Sequence, residues 1–468
     1  MSPLLIALVL GVDPAPAHAW PGFRGDGSST SAAKNLPLKW SPAENVAWRA
    51  ALPGYGQSSP VVWNDRAFVT AIDGAEKEKL LVVAVDTATG KAVWTKEFAA
   101  TQKGKNNPMM SRAAPTPVVD RDAVYAFFES GDVVALTHGS DVRWERSLSK
   151  DYGEFKNHHG VGSSPAQTDK AVVILVDHQG PSYLVALDKA TGKAVWKADR
   201  KSRASWTSPV VTTVADRPAI LVSSNGSLDA YDAATGKELA TLDGFAGNTI
   251  PSPAVAGGLI VLGAGEGRTK SDPAASAKSN CCVRLTTSGG KVAFEPVWEG
   301  KKVICQHASP LIYRDHAYFV TKAGLVHCVD LKTGEERYAE RLDNPCWATP
   351  VGVGDHVIFF GKDGVTTVLK TGPEFDKVAS NHLWSAADFA KRRDEAKEKA
   401  ATLPKTPEGK GNVPTQPKDE PDAARYSAVG DVVYGVAVVD NAFFIRTGTE
   451  LICVRESRPK KSLPGATP

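Results

Sequence analysis

The chain has 468 residues, 42% of them hydrophobic, with 55 Lys and Arg against 52 Asp and Glu. This is a globular composition, long enough for several domains. The near-balanced charge, with no basic stripe interleaved with aromatics, excludes nucleic acid as a partner. Six cysteines in such a length do not make a disulfide scaffold, and no stretch beyond the N-terminus approaches the ~20 apolar residues of a transmembrane segment.

In chain order, Leu4 to Leu10 is apolar and Ala17-His18-Ala19 fits a small-x-small cleavage site. Residues 1–19 therefore read as a signal peptide cleaved before Trp20, and the mature protein as exported, periplasmic or secreted. Residues 20–40 are rich in Gly, Ser and Pro and are expected to wrap the outside of the domain without regular structure. Asn45 to Leu52 then reads as a strand carrying Trp48, with no hairpin partner ahead of it.

A small residue followed by Pro and an apolar run now recurs: Ser59-Pro60, Thr116-Pro117, Ser164-Pro165, Ser208-Pro209, Ser252-Pro253, Ser309-Pro310 and Thr349-Pro350. The steps between prolines are 57, 48, 44, 44, 57 and 40 residues. Each marker opens a strand, where Pro is tolerated because the first residue need not donate to the ladder. An Asp, Asn or Gly turn and a second strand follow, such as Ala67-Phe68-Val69 and Ala317-Tyr318-Phe319.

A hairpin completes each period. Leu81 to Val85, Tyr183 to Leu187 and Leu325 to Val329 are apolar runs that each end at an Asp. The string Ala-Thr-Gly-Lys-Ala-Val-Trp follows unchanged at Ala88–Trp94 and Ala190–Trp196, with weaker copies at 232–239 and 330–338. The Asp accepts a nearby backbone N–H to start the turn, and the Gly supplies the positive φ that closes it with a bulge. The Trp is then predicted to pack between neighbouring units.

Four short antiparallel strands over some 40–50 residues, repeated, are the signature of a propeller blade. Seven markers give seven blades. An eighth unit, Gly435 to Val454, has three strands and lacks the Pro. Its missing fourth strand is the orphan at Asn45–Leu52, which would close the ring and remove its open edges. The fold is thus read as all-β, an eight-bladed propeller of four-stranded antiparallel blades over residues 20–456. Seven blades, with 435–454 outside the ring, is the alternative. Gly265 to Asn280 reads as a loop. Residues 386–424 read as a charged insertion, helix-favouring from Ala387 to Ala400 and disordered from Leu403 to Asp422. Residues 457–468 read as a disordered tail.

On the Asp-x-x-Thr-Gly-x-x-x-Trp pattern at Asp86–Trp94 and Asp188–Trp196, and on the repeated small-Pro marker, the chain resembles the PQQ-like β-propeller repeat family. That group includes the outer-membrane assembly lipoprotein BamB and the quinoprotein alcohol dehydrogenases. Trp20-Pro21-Gly22-Phe23-Arg24-Gly25 is similar to the start of secreted members. The resemblance implies a non-catalytic interaction scaffold in the cell envelope, monomeric, with a protein partner and no cofactor. Its alternative is a dehydrogenase holding PQQ with calcium on the axis, often beside a disulfide between adjacent cysteines. A glycan-binding propeller is a third reading. No Cys stands near the cleavage site, so a lipoprotein anchor is not expected.

Cys281-Cys282 is the one adjacent pair, but it falls where the fifth blade needs its third strand, which puts the two thiols on opposite faces. Cys305 and Cys346 each precede a marker and could approach at the channel mouth, free or bonded. His158-His159 lacks the further ligands a metal requires, and no hydrolase, zincin or phosphate-loop motif is present. No catalytic, cofactor or metal residue is assigned. What remains is a set of residues just ahead of the markers, Arg112, His159, Trp206, His307 and Trp347. They would ring the channel mouth on one face and could bind a partner.

Overall fold

In the computed structural model, which describes residues 18–106, 110–265, 273–401 and 432–456, each period becomes one antiparallel sheet of four strands, and there are eight such sheets. Blade one runs Val61–Trp63, Arg66–Asp73, Lys79–Asp86 and Ala92–Ala99, each strand paired with the next. Blades two to seven span 118–147, 166–200, 210–243, 254–299, 311–341 and 351–382. Blade eight consists of Gly435–Val439, Ala442–Arg446 and Glu450–Arg455, and its fourth strand is Val46–Ala51, paired through Trp48 with Cys453 and Ala50 with Leu451. The eight-bladed reading with N-terminal closure holds, and the seven-bladed alternative falls.

The repeated hairpin string explains how one blade grips the next. In its first two copies the Asp carboxylate, at Asp86 and Asp188, accepts from the backbone N–H and the hydroxyl of the Thr three residues on. At Asp232 and Asp330 it also accepts the N–H two residues on. The Gly that follows lies at φ +75, +70, +71 and +71 in Gly90, Gly192, Gly236 and Gly334, and a bulge in the next pair matches the sequence reading. A Cβ on these four glycines would stand 2.4–2.6 Å from the ring of Trp48, Trp144, Trp196 or Trp298 of the preceding blade. Each of those indoles donates Nε1–H to the carbonyl just after the turn Asp: Thr87, Lys189, Ala233 or Leu331, at 2.8–3.1 Å. Turn and Trp are thus two halves of one inter-blade joint.

The small residues of the markers form a second joint near the axis. The backbone N–H of Ser59 donates to Thr116 Oγ1 at 2.9 Å, that of Thr116 to Ser164 Oγ at 3.0 Å, and that of Ser164 to Ser208 Oγ at 2.9 Å. The relay continues to Ser252, Ser309 and Thr349 at 2.8, 3.0 and 3.2 Å. Blade eight brings Gly435 to this position, where a Cβ would stand 1.9 Å from Ser59 Oγ. The missing marker is therefore a steric requirement of closing the ring.

One expectation is overturned. Residues 19–34 do not wrap the outside; they cross the axis as a plug. Ala19–Trp20 pairs with Val62 and Trp63 of blade one. The Pro21 carbonyl accepts from Val119 of blade two and from Gln167 of blade three. Arg24 donates to the Pro253 carbonyl of blade five at 2.8 Å. Ser29 donates to the Pro350 carbonyl of blade seven, and Thr30–Ser31 runs parallel to Gly352 and Val353. Ser31 then reaches the Val438 carbonyl of blade eight. The physical reason is that the innermost strand of every blade has one free edge, whose polar groups need partners. A chain short of apolar residues but rich in Gly and Ser can supply them one blade at a time.

The helix expected in the insertion is present at Ala386–Ala401, capped by Ser385 and Asp388. It reaches the ring through Arg392, which stacks on Trp384 and pairs with Glu450 at 3.3 Å. The excursion at 265–280 is not all loop, since Pro273–Lys278 is helical. The leader before His18, the segment 403–422 and the tail 457–468 lie outside the described residues. No helix among the described residues is long and apolar enough to cross a membrane.

Candidate functional site

The residues ahead of the markers lie where the chain enters each innermost strand, and the structure brings them together in pairs across blade boundaries. The His159 ring stands 5.9 Å from Trp206, and the Trp206 indole donates to the Gly160 carbonyl at 2.8 Å. His307 stands 5.1 Å from Trp347, and Lys362 Nζ lies 4.8 Å from the centre of the same indole. Arg112 stacks on Tyr55 of blade one, with its guanidinium carbon 3.5 Å from the ring centre. Ser111 links the arginine to the histidine pair by donating to the His159 carbonyl at 2.7 Å. The five residues thus form three pairs with their neighbours: one tilted, one edge-on, and one with a guanidinium over a ring. Arg112 is buried and the other four are half-buried.

Burial, reinforced by the charges of Lys322 and Lys362, pushes His307 down to about 4. Its folded value lies below the unfolded one near 6.5, so the unfolded chain takes up the proton first. Stability contributed by the neutral ring is therefore complete above about pH 6.5 and falls away as pH drops toward 4. The span is worth about 3 kcal/mol. Urea unfolding of wild type and His307→Phe between pH 7 and pH 4 should show a steeper acid loss in the wild type; parallel curves would refute it.

Four residues that the sequence reading passed over complete this part of the mouth. Tyr55 and Tyr434 join hydroxyls at 2.7 Å, and Gln57 Nε2 lies 3.4 Å from the Tyr434 hydroxyl. Arg446 is fully buried beneath them. A signal for Arg446 existed in the register. It pairs with Gly435, and continuing the strand pairings by two residues puts Thr70, Phe127, Leu175, Ser223, Gly263, Val320 and Phe360 at the same place in the other blades. Arg446 is the one charge in that series.

The cysteines stand as the strand reading required. Cys281 faces the core shared with blade four and Cys282 the core shared with blade six. Burial raises their thiols to about 12 and about 11. Cys305 and Cys346 are both free and buried, in different core clusters, and Cys328 and Cys453 are small buried hydrophobes within strands. Among the described residues no group of three or more His, Cys, Asp or Glu stands together as a cation site. Cysteines on opposite faces of one strand do not fit the adjacent-cysteine disulfide that the quinone reading brings with it.

The comparisons with known proteins agree with this architecture. A family model described as outer membrane protein assembly factor BamB matches residues 39–181 and 180–345. The outer membrane protein assembly factor BamB of Burkholderia pseudomallei (strain K96243) is 28% identical over 302 residues, covering 59% of this chain and 73% of that protein. That of Alkalilimnicola ehrlichii is 28% identical over 157 residues, covering 33% of this chain and 36% of that protein. Among solved structures, BamB from Moraxella catarrhalis superposes with a TM-score of 0.57 at 13% identity, covering 88% of this chain and all of that one. Quinohemoprotein alcohol dehydrogenase from Comamonas testosteroni gives 0.57 at 11% identity, covering 97% and 84%. At such identities the two structures speak to the fold alone. The family model spans most of the chain and takes in blades one to six; the chain belongs to the PQQ-like β-propeller family described as outer membrane protein assembly factor BamB.

Proposed function

We propose that this chain is an exported, non-catalytic propeller that acts as an interaction scaffold in the cell envelope. It would hold a protein partner at the mouth formed by Arg112, His159, Trp206, His307 and Trp347. The observation that carries the reading is kinship: the family model and the curated relatives are described as assembly factors of the outer membrane. Geometry supports it. One end of the axis is filled by the plug, and the other presents paired aromatic and cationic side chains, the groups that dominate protein interfaces. In this reading the protein is a monomer without a cofactor, and cleavage of the leader over residues 1–19 would remove Ala19 and leave the plug to start at Trp20.

A photo-crosslinking residue placed at exposed His158, beside the mouth, should capture one defined envelope protein. The same residue at exposed Lys34, at the end of the plug, should not. Combining the crosslinker with Trp206→Ala and Trp347→Ala should abolish the product. Capture from Lys34 alone, or an undiminished product in the double variant, would refute the assignment of the mouth. Alcohol-dependent dye reduction after addition of PQQ and calcium would refute the non-catalytic reading.

A further inference from the structure

Two guanidinium groups are enclosed at the mouth, and among the described residues neither meets a carboxylate. Arg446 is 0% exposed and Arg112 7%. Arg446 Nη2 makes one long contact, 3.4 Å, with the Thr70 carbonyl, and its Nε and Nη1 have no partner among the described residues. Nε and Nη2 of Arg112 are equally without one. Arg200, the other deeply buried arginine of blades three and four, is met by two carboxylates, Asp177 at 3.1 Å and Asp229 at 2.9 Å. Burying a charge and its N–H groups without a partner is costly, so two such residues side by side call for an anion.

They are side by side because both address Tyr55. Arg112 lies flat over its ring. Gly56, next to Tyr55 in the chain, packs against Arg446, whose pKa burial pulls down to about 9. Gly435 and Gly56 make the room, since a Cβ on Gly56 would stand 2.5 Å from Arg446 Nη2. Tyr55, Gln57 and Tyr434 are each only half-buried, so the pair is approached from the mouth. A third arginine, Arg24 of the plug, lines a small cavity beneath Tyr434 and also has two N–H groups, Nε and Nη1, without partners.

We propose that Arg112 and Arg446, with the hydroxyls of Tyr55 and Tyr434 and the Gln57 amide, form an oxyanion site that takes a carboxylate. Two planar guanidinium forks match a planar carboxylate by paired N–H···O bonds. The carboxylate has two sources, a small organic acid or an acidic side chain of a protein, and the site does not depend on the partner reading above.

The test is calorimetric titration of the purified full chain at fixed ionic strength with citrate, with a peptide of alternating Asp and Glu, and with inorganic phosphate. Saturable binding of citrate or of the peptide is expected, weakened roughly 10- to 100-fold in Arg446→Met and in Arg112→Gln. Citrate alone identifies a small acid, and the peptide alone an acidic protein segment; either supports the site. If Arg446→Met does not fold, Arg112→Gln and Tyr55→Phe carry the test. No saturable binding of either carboxylate to the wild type, tighter binding of phosphate than of both, or unchanged affinity in the variants would overturn it.

Discussion

Deleting residues 46–51 should abolish the native state, and it is the largest effect expected of any six-residue change in this chain. That strand supplies the whole outer ladder of blade eight, from Val46 opposite Val454 to Ala51 opposite Glu450. It also carries Trp48, which packs on Phe444 at 5.9 Å, covers Gly90 of blade one and donates to Thr87. Its loss exposes a sheet edge and unmakes the joint between the last blade and the first. Truncating one large core aromatic costs about 3–5 kcal/mol, and an entire strand exceeds the ~5–15 kcal/mol a domain has in hand. Removing residues 386–424 should change stability by only about 1 kcal/mol, because half-buried links such as Arg392 to Glu450, still in reach of water, are worth little. Near-ultraviolet circular dichroism and urea unfolding of the two deletions decide the matter. A cooperative, native-like 46–51 deletion would refute the role given to this strand.

The second large effect lies between blades three and four. Arg200 is buried between Asp177 and Asp229, and Asp229 also accepts from Ser227 at 3.0 Å and Thr241 at 3.1 Å. Desolvation works against the charge on Arg200, but the two carboxylates outweigh it and its pKa is raised. Removing one carboxylate, as in Asp229→Ala, leaves the guanidinium half-compensated and should cost about 3–5 kcal/mol. Replacing the network together, Asp177→Leu with Arg200→Met and Asp229→Leu, should cost less than the single change, because no uncompensated charge is left behind. Asp199→Ala, which breaks an exposed pair with Lys197, should move stability by less than about 1 kcal/mol. Equal losses in Asp229→Ala and Asp199→Ala would refute the burial argument.

The blades were legible because their chemistry is local. Within Asp188–Trp196 the Asp, Thr and Gly satisfy one another, so the string has its shape wherever it occurs. Blade two shows where such reading fades. Thr137 and Ser140 stand in for the Asp and the Gly, yet Trp144 still docks on Gly192. The plug was misread because its sequence has no period. Its bonds to the ring go to blades one, two, three, five, seven and eight in turn, and every one of those partners lies forty or more residues away in the chain. Arg446 stayed hidden for a related reason. Its string, Phe443-Phe444-Ile445-Arg446, looks like any strand end until the eight registers are laid over one another, and only then does a charge on the axis stand out.

The plug also sets the order of events during folding. Arg24 meets a residue 229 positions away, Ser29 one at 321 and Ser31 one at 407. Closing a loop of some four hundred residues costs about 5 kcal/mol of chain entropy, but the cost grows only with the logarithm of length. Once Ser31 has reached blade eight, the seal strand starting at Val46 is tethered beside its partner and closes at almost no further cost. Plug and seal are therefore expected to close together and late. Any species formed before that closure would carry bare sheet edges, which makes slow, non-local closure the point at which aggregation is expected.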